Sequence, residues 1–83
     1  MQLLYFAWVR EKIGIGEEER DIPRELSTVN DLLDWLSSQG ENYKEALGAK
    51  DRLRIAVDQH HADTNASIEN AREIAIFPPV TGG

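Results

Sequence analysis

Val29, Leu32, Leu33 and Leu36 fall at i, i+3, i+4 and i+7, the one-sided stripe of an amphipathic helix, and the apolar stretches on either side of it have β character. A single helical stripe between strand-forming segments must bury itself against a sheet, which points to an α+β plan. Thr28 is placed to cap the helix, with Asp31 three residues on contributing a carboxylate at the positive end of the helix dipole. Gly40 can supply a left-handed residue after the last turn, so the helix is expected over Val29 to Gln39. Tyr43, Ala46 and Leu47 repeat the helical spacing on a shorter scale and predict a second helical turn before Gly48.

The remaining apolar segments read as strands. Leu3 to Val9 (LLYFAWV) is an almost unbroken apolar run, expected to form a central strand buried on both faces. Gly14 and Gly16 punctuate a loop from Arg10 to Gly16, and EEERDI at residues 17–22 reads as a short exposed edge strand, with Glu17 to Glu19 on a solvated edge. Leu53 to Val57 alternates as a strand with one core face, and Asp63, Thr64 and Asn65 mark a turn. The last strand, Glu73 to Phe77, is stopped by Pro78 and Pro79, which have no N–H to give to a ladder. The expected order is strand, strand, helix, strand, strand, forming one domain over residues 1–77 with an extended tail over 78–83.

Charge and composition narrow the function. Fifteen acidic residues against nine basic ones give a net charge of −6, which repels phosphate backbones and anionic lipid, so neither nucleic acid nor a membrane is an expected partner. No apolar run approaches the roughly 20 residues of a membrane span, and MQLLYFAWVREK lacks the basic and small-residue features of a signal peptide, so a cytoplasmic location is expected. The absence of cysteine excludes disulfides, thiolate metal sites and a cysteine nucleophile within these 83 residues. In 83 residues there is also little room for a large active-site cleft.

The ten residues from Ile74 to Gly83 (IAIFPPVTGG) carry no charge, although charged side chains make up 29% of the chain. Consecutive prolines hold a segment extended, and freedom removed in advance lowers the entropy lost on docking. From Pro78 to Gly83 the extended reach is roughly 20 Å, enough to enter a partner's channel. Gly82 and Gly83 can pass a narrow slot and leave a terminal carboxylate open to attack. Two terminal glycines arise by chance in roughly half a per cent of chains at ordinary glycine usage, before the prolines and the missing charges are counted.

The segments LLYFAWVRE, RIAVDQ and EIAIFPPVTGG closely resemble the corresponding parts of molybdopterin synthase small subunits, the ubiquitin-like β-grasp sulfur carriers, and the similarity spans the whole chain. The resemblance implies a β-grasp fold: a mixed sheet under one main helix, first and last strands side by side and parallel, and a flexible Gly-Gly tail leaving the last. It implies that a partner enzyme uses ATP to convert the Gly83 carboxylate to an acyl-adenylate, and that a sulfur donor displaces AMP to leave a thiocarboxylate. Pro78, Pro79, Val80, Thr81 and Gly82 would then thread Gly83 into the large synthase subunit, where sulfur passes to cyclic pyranopterin monophosphate. The assembly it implies has two small and two large subunits. No G-x-x-x-x-G-K-[ST] phosphate cradle is present, so the ATP chemistry falls to the partner, and no stably bound cofactor or metal is expected on this chain.

The same resemblance places an apolar patch against the large subunit, for which Phe6, Ile76 and Phe77 are candidates with His60 at a nearby hairpin. Alternation along a strand requires some of these apolar residues to be core instead. His60 and His61, adjacent on a strand, point to opposite faces and lack a third convergent ligand. Trp8 and Trp35 are expected to pack rather than stack on bases. Asn70 and Ala71 stand where the family often has Asp-Gly, and Val57, Asp58 and Gln59 where it often has Val-Asn-Gln, which leaves both turns open. Three other uses of such a chain remain: sulfur carriage for thiamine or an amino acid, a ubiquitin-like modifier joined through Gly83 to a lysine, and a plain binding domain for which Gly83 is dispensable.

Overall fold

A computed structural model of the chain describes residues 1–79. Its elements are β1 (Gln2–Tyr5), α1 (Ala7–Ile13), β2 (Glu17–Glu19), α2 (Val29–Ser37), α3 (Glu41–Leu47), a 3-10 turn (Lys50–Arg52), β3 (Arg54–Val57), β4 (His60–Ala62) and β5 (Glu73–Phe77). The five strands form one sheet in the order β2-β1-β5-β3-β4. β1 and β5 run parallel, with Leu3 opposite Ile74 and Tyr5 opposite Ile76, and the other pairs are antiparallel. This is the expected β-grasp arrangement.

Alternation divides the sheet. Leu3, Tyr5, Ile55, Ile74 and Ile76 point into a core closed by Val9 and Ile13 of α1, Val29, Leu32, Leu33 and Leu36 of α2, and Tyr43, Ala46 and Leu47 of α3. α2 begins as expected: the Thr28 side chain accepts from the Asp31 amide, and the Asp31 carboxylate accepts from the Thr28 and Ser27 amides, a reciprocal capping box. Those amides hold the Asp31 carboxyl below its ordinary range. The helix ends at Ser37 with Ser38 as its C-cap, and Gly40, expected as its left-handed terminator, is extended (φ 168°) and caps α3 instead.

The first apolar run divides in two. Only Gln2–Tyr5 is strand, and Ala7–Ile13, expected partly as strand and partly as loop, is helix ending on the left-handed Gly14. Val9 and Ile13, four apart, fit one face of a helix as well as one face of a strand, and burying them against the neighbouring helix decides between the two. β1 is also not buried on both faces, since Gln2 and Leu4 are half-exposed.

β4 adds a strand that the sequence marked only as a hairpin. Asp58 and Gln59, both at positive φ (48° and 71°), make the two-residue turn between Val57 and His60. Asp58 then accepts from the amides of Arg72 and Glu73, each at 2.9 Å, tying the hairpin to the start of β5. In the other open turn it is Asn70 that takes the left-handed conformation (φ 63°), so Ala71 carries no such strain.

Edge strand β2 is not simply solvated. Leu3 pairs with Glu18, which turns the Glu18 side chain toward the helices. There it accepts from Tyr5 Oη (2.7 Å), Tyr43 Oη (2.6 Å) and Arg20 Nε (2.9 Å). Arg20 also donates to Tyr43 Oη and lies over the rings of Tyr43 and Trp35. Burial raises the Glu18 pKa, but the Tyr43, Tyr5 and Arg20 contacts outweigh it and hold the carboxyl below its ordinary range, while burial and the Glu18 contact push Tyr5 up.

A carboxylate whose pKa is lower folded than unfolded stabilises the fold above its unfolded pKa and loses that contribution as pH falls through the folded one. Glu18→Gln should therefore lower stability near neutral pH by about 1 kcal/mol and flatten the decline below about pH 5, read as the urea midpoint against pH.

Candidate functional site

Parallel pairing puts the C-terminal ends of β1 and β5 at the same edge of the sheet. There the Phe6 N–H donates to the Ile76 carbonyl (3.2 Å), so the residue after β1 lies beside the exit of β5. On the other flank Arg54 stands opposite Phe77. Pro78 and Pro79, half-exposed, lead the chain out between them.

The sheet face away from the helices carries Leu4, Ala75 and Ala56 as register partners across β1, β5 and β3, with Phe77 and Arg54 next along. The His61 ring meets Phe77 edge-on, with centroids 5.7 Å apart and planes at 76°. Phe6 is 49% exposed. The uncharged end of β5, Ile74 to Phe77, thus lies beside an exposed aromatic ring, a surface able to hold a partner against the base of the tail.

The candidate residues separate on this geometry. Phe6, Phe77, Pro78 and Pro79 are brought together at the strand exit. Ile76 is not part of that surface: it is 0% exposed and packs in the core, because alternation along β5 sends it to the helix side while Phe77 goes to the open side. His60 is exposed, but it pairs with Val57, which in turn pairs with Ile74 near the start of β5, so it sits toward the opposite end of the sheet. His61, not His60, is the histidine in contact with Phe77. Val80, Thr81, Gly82 and Gly83 lie outside the described residues.

Two residues beside this exit were not singled out in the sequence. Ile15, 42% exposed, and Arg10 line a shallow groove with Leu4, Tyr5, Phe6, Gly16 and Glu17 on the β1 side of the exit. Phe6 and Ile15 are the exposed large apolar residues among those described, and both lie here. The available hint was an apolar residue set between two glycines with no periodic partner.

Among the described residues no three histidine or acidic side chains converge on a possible metal position, and no helix is long and apolar enough to cross a membrane.

Exposure separates two neighbouring apolar residues experimentally. Ile76→Ala should cost about 2 to 5 kcal/mol in urea unfolding, whereas Phe6→Ala should stay within about 0.5 kcal/mol of the parent chain.

The whole-chain comparisons agree with this architecture. The chain is 32% identical over 83 residues to the molybdopterin synthase sulfur carrier subunit of Haemophilus influenzae, covering 100% of this chain and 99% of that one. It is 33% identical over 84 residues to the protein of the same name from Escherichia coli, with the same coverage. The crystal structure of SAMP1 from Haloferax volcanii superposes with a TM-score of 0.72 at 26% identity, covering 100% of this chain and 98% of that one. The model of the ThiS family matches residues 3–83, so it takes in the β5 exit and the diglycine together, and the chain belongs to the ThiS family.

Proposed function

We propose that this protein is a sulfur carrier of molybdenum cofactor synthesis whose reactive group is the Gly83 carboxylate. The observation that carries the reading is the central strand β5, uncharged from Ile74 onward, which runs into Pro78 and Pro79 beside the exposed Phe6, in a chain whose relatives are named molybdopterin synthase sulfur carrier subunits.

In this reading a partner adenylating enzyme binds ATP. A Gly83 carboxylate oxygen attacks the α-phosphorus, pyrophosphate leaves, and an acyl-adenylate forms. A sulfur donor then attacks the activated carbonyl, AMP departs, and a thiocarboxylate remains. The small subunit docks on the large synthase subunit, the tail enters its active site, and sulfur passes to cyclic pyranopterin monophosphate. Two such transfers build the dithiolene of molybdopterin, and water returns each Gly83 to the carboxylate.

The division of labour follows from the chain's chemistry. It contributes no thiol and no phosphate-binding loop, so activation and transfer fall to partners. Glycine at the last two positions places no Cβ beside the reacting carbonyl. A terminal group can visit two enzymes in turn because the rigid body it hangs from docks first and leaves only a short tether to order. Assembly as two small and two large subunits belongs to the same reading.

Intact mass measurement after incubation with the adenylating enzyme, ATP and a sulfur donor should show one oxygen replaced by sulfur. Deleting Gly83 should abolish that gain with the unfolding midpoint unchanged; loading that survives the deletion would sink the mechanism. Conjugates of higher mass that resist thiol reagents would instead identify a protein modifier.

A further inference from the structure

Ala7 has φ 52°, a left-handed conformation unusual for a residue with a Cβ. It is neither buried nor a glycine, and it opens α1 immediately after the exposed Phe6. The two neighbouring elements impose the conformation. On one side the Phe6 N–H is bonded to Ile76 of β5. On the other the Phe6 carbonyl accepts from the amides of Val9 (3.1 Å) and Arg10 (3.3 Å), the first turn of α1. Phe6 itself is extended (φ −128°, ψ 156°), so the change from extended strand to the first turn of α1 falls on Ala7.

Glycine would meet this geometry with less strain, which makes alanine informative. An L-residue at positive φ has one narrow well, roughly φ +50° to +70° with ψ +30° to +60°, while glycine ranges over a much broader region. Strained backbone persists where surrounding structure over-determines it, and such positions cluster at binding and catalytic sites. Here the residue held by the strain is an aromatic ring, half-exposed and beside the exit of the tail strand. Exposed aromatics are frequent binding hot spots, and an anchor held in its bound orientation loses less entropy on docking.

We infer that Ala7 is a positioning residue: its narrow left-handed well fixes the direction in which Phe6 projects, so that Phe6 anchors the partner that receives the tail. The inference rests on the carrier reading above for the identity of that partner. Ala7 need not touch the partner itself; it acts through Phe6.

The test is a double-mutant cycle with the full chain and a purified synthase large subunit, comparing the parent, Ala7→Gly, Phe6→Ala and the double variant by calorimetric titration and thermal unfolding. Phe6→Ala should weaken binding about tenfold or more. Ala7→Gly should weaken it about three- to tenfold with an unfolding midpoint within about 5 °C of the parent, because relief of strain offsets the greater freedom of the unfolded chain. In the Phe6→Ala background the Ala7→Gly change should have no further effect on affinity. Amide exchange should show protection at Phe6, Val9 and Arg10 reduced in Ala7→Gly, a readout independent of any partner.

Parent-like affinity of Ala7→Gly, or an equal loss with and without Phe6, overturns the inference and leaves the carrier reading standing. Undiminished binding by Phe6→Ala does the same, since there is then no anchor to position. A parent chain that takes up sulfur on Gly83 yet does not bind the large subunit removes the partner, and the inference with it.

Discussion

The parallel pairing of β1 with β5 is the constraint on which the rest of this structure depends. Parallel neighbours cannot be joined by a tight turn, so the chain between them must cross over, and α2 and α3 lie in that crossover, closing the core over one face of the sheet. The same pairing buries Leu3, Tyr5, Ile74 and Ile76 in the middle of the sheet. Its third consequence concerns function: two strands that run the same way end at the same edge, and so Phe6 and the exit toward the tail become neighbours although 71 positions separate Phe6 from Phe77 in the sequence.

Polar groups brace this arrangement at the margins. Glu18 receives two tyrosine hydroxyls and a guanidinium between β2 and α3, and Asp58 receives two backbone amides between the β3–β4 turn and the start of β5. The first ties the edge strand to the helical layer, the second ties the hairpin to the strand that carries the tail. Both lie away from the β5 exit, whose described surroundings are dominated by Phe6, Phe77, Ile15 and the two prolines. In the carrier reading such a surface presents and docks the tail, and the bond-making falls to a partner.

Several elements were legible because a local signal and the tertiary structure agreed. α2 has its apolar stripe and its Thr28–Asp31 cap in the sequence, and both form. β5 spans the residues marked out by the prolines that follow it. Where a short apolar run fitted two periods, as in Leu3 to Val9, sequence did not choose; packing of Val9 and Ile13 against the helical layer did. Strand β4 has only His60, His61 and Ala62, with no strong propensity, and exists because the Asp58–Gln59 turn lays it against β3. Asp58 there and Asn70 before β5 are residue types that tolerate the left-handed backbone their turns require.

By itself, then, the sequence determined an α+β chain built round one capped helix, with an uncharged proline-glycine end and no side-chain thiol, because periodicity, capping and composition are properties of neighbouring residues. Only the tertiary structure decided which apolar residues would lie on the surface. Ile76 and Phe77 are adjacent and alike in sequence, yet the twofold alternation of β5 sends one to the core and leaves the other on the open face. Phe6 is exposed where the chain leaves the sheet for α1, and it lies beside the exit of β5 because a strand more than sixty residues away pairs with its own in parallel. Those are facts of strand pairing and backbone direction, and no window of local sequence contains both partners.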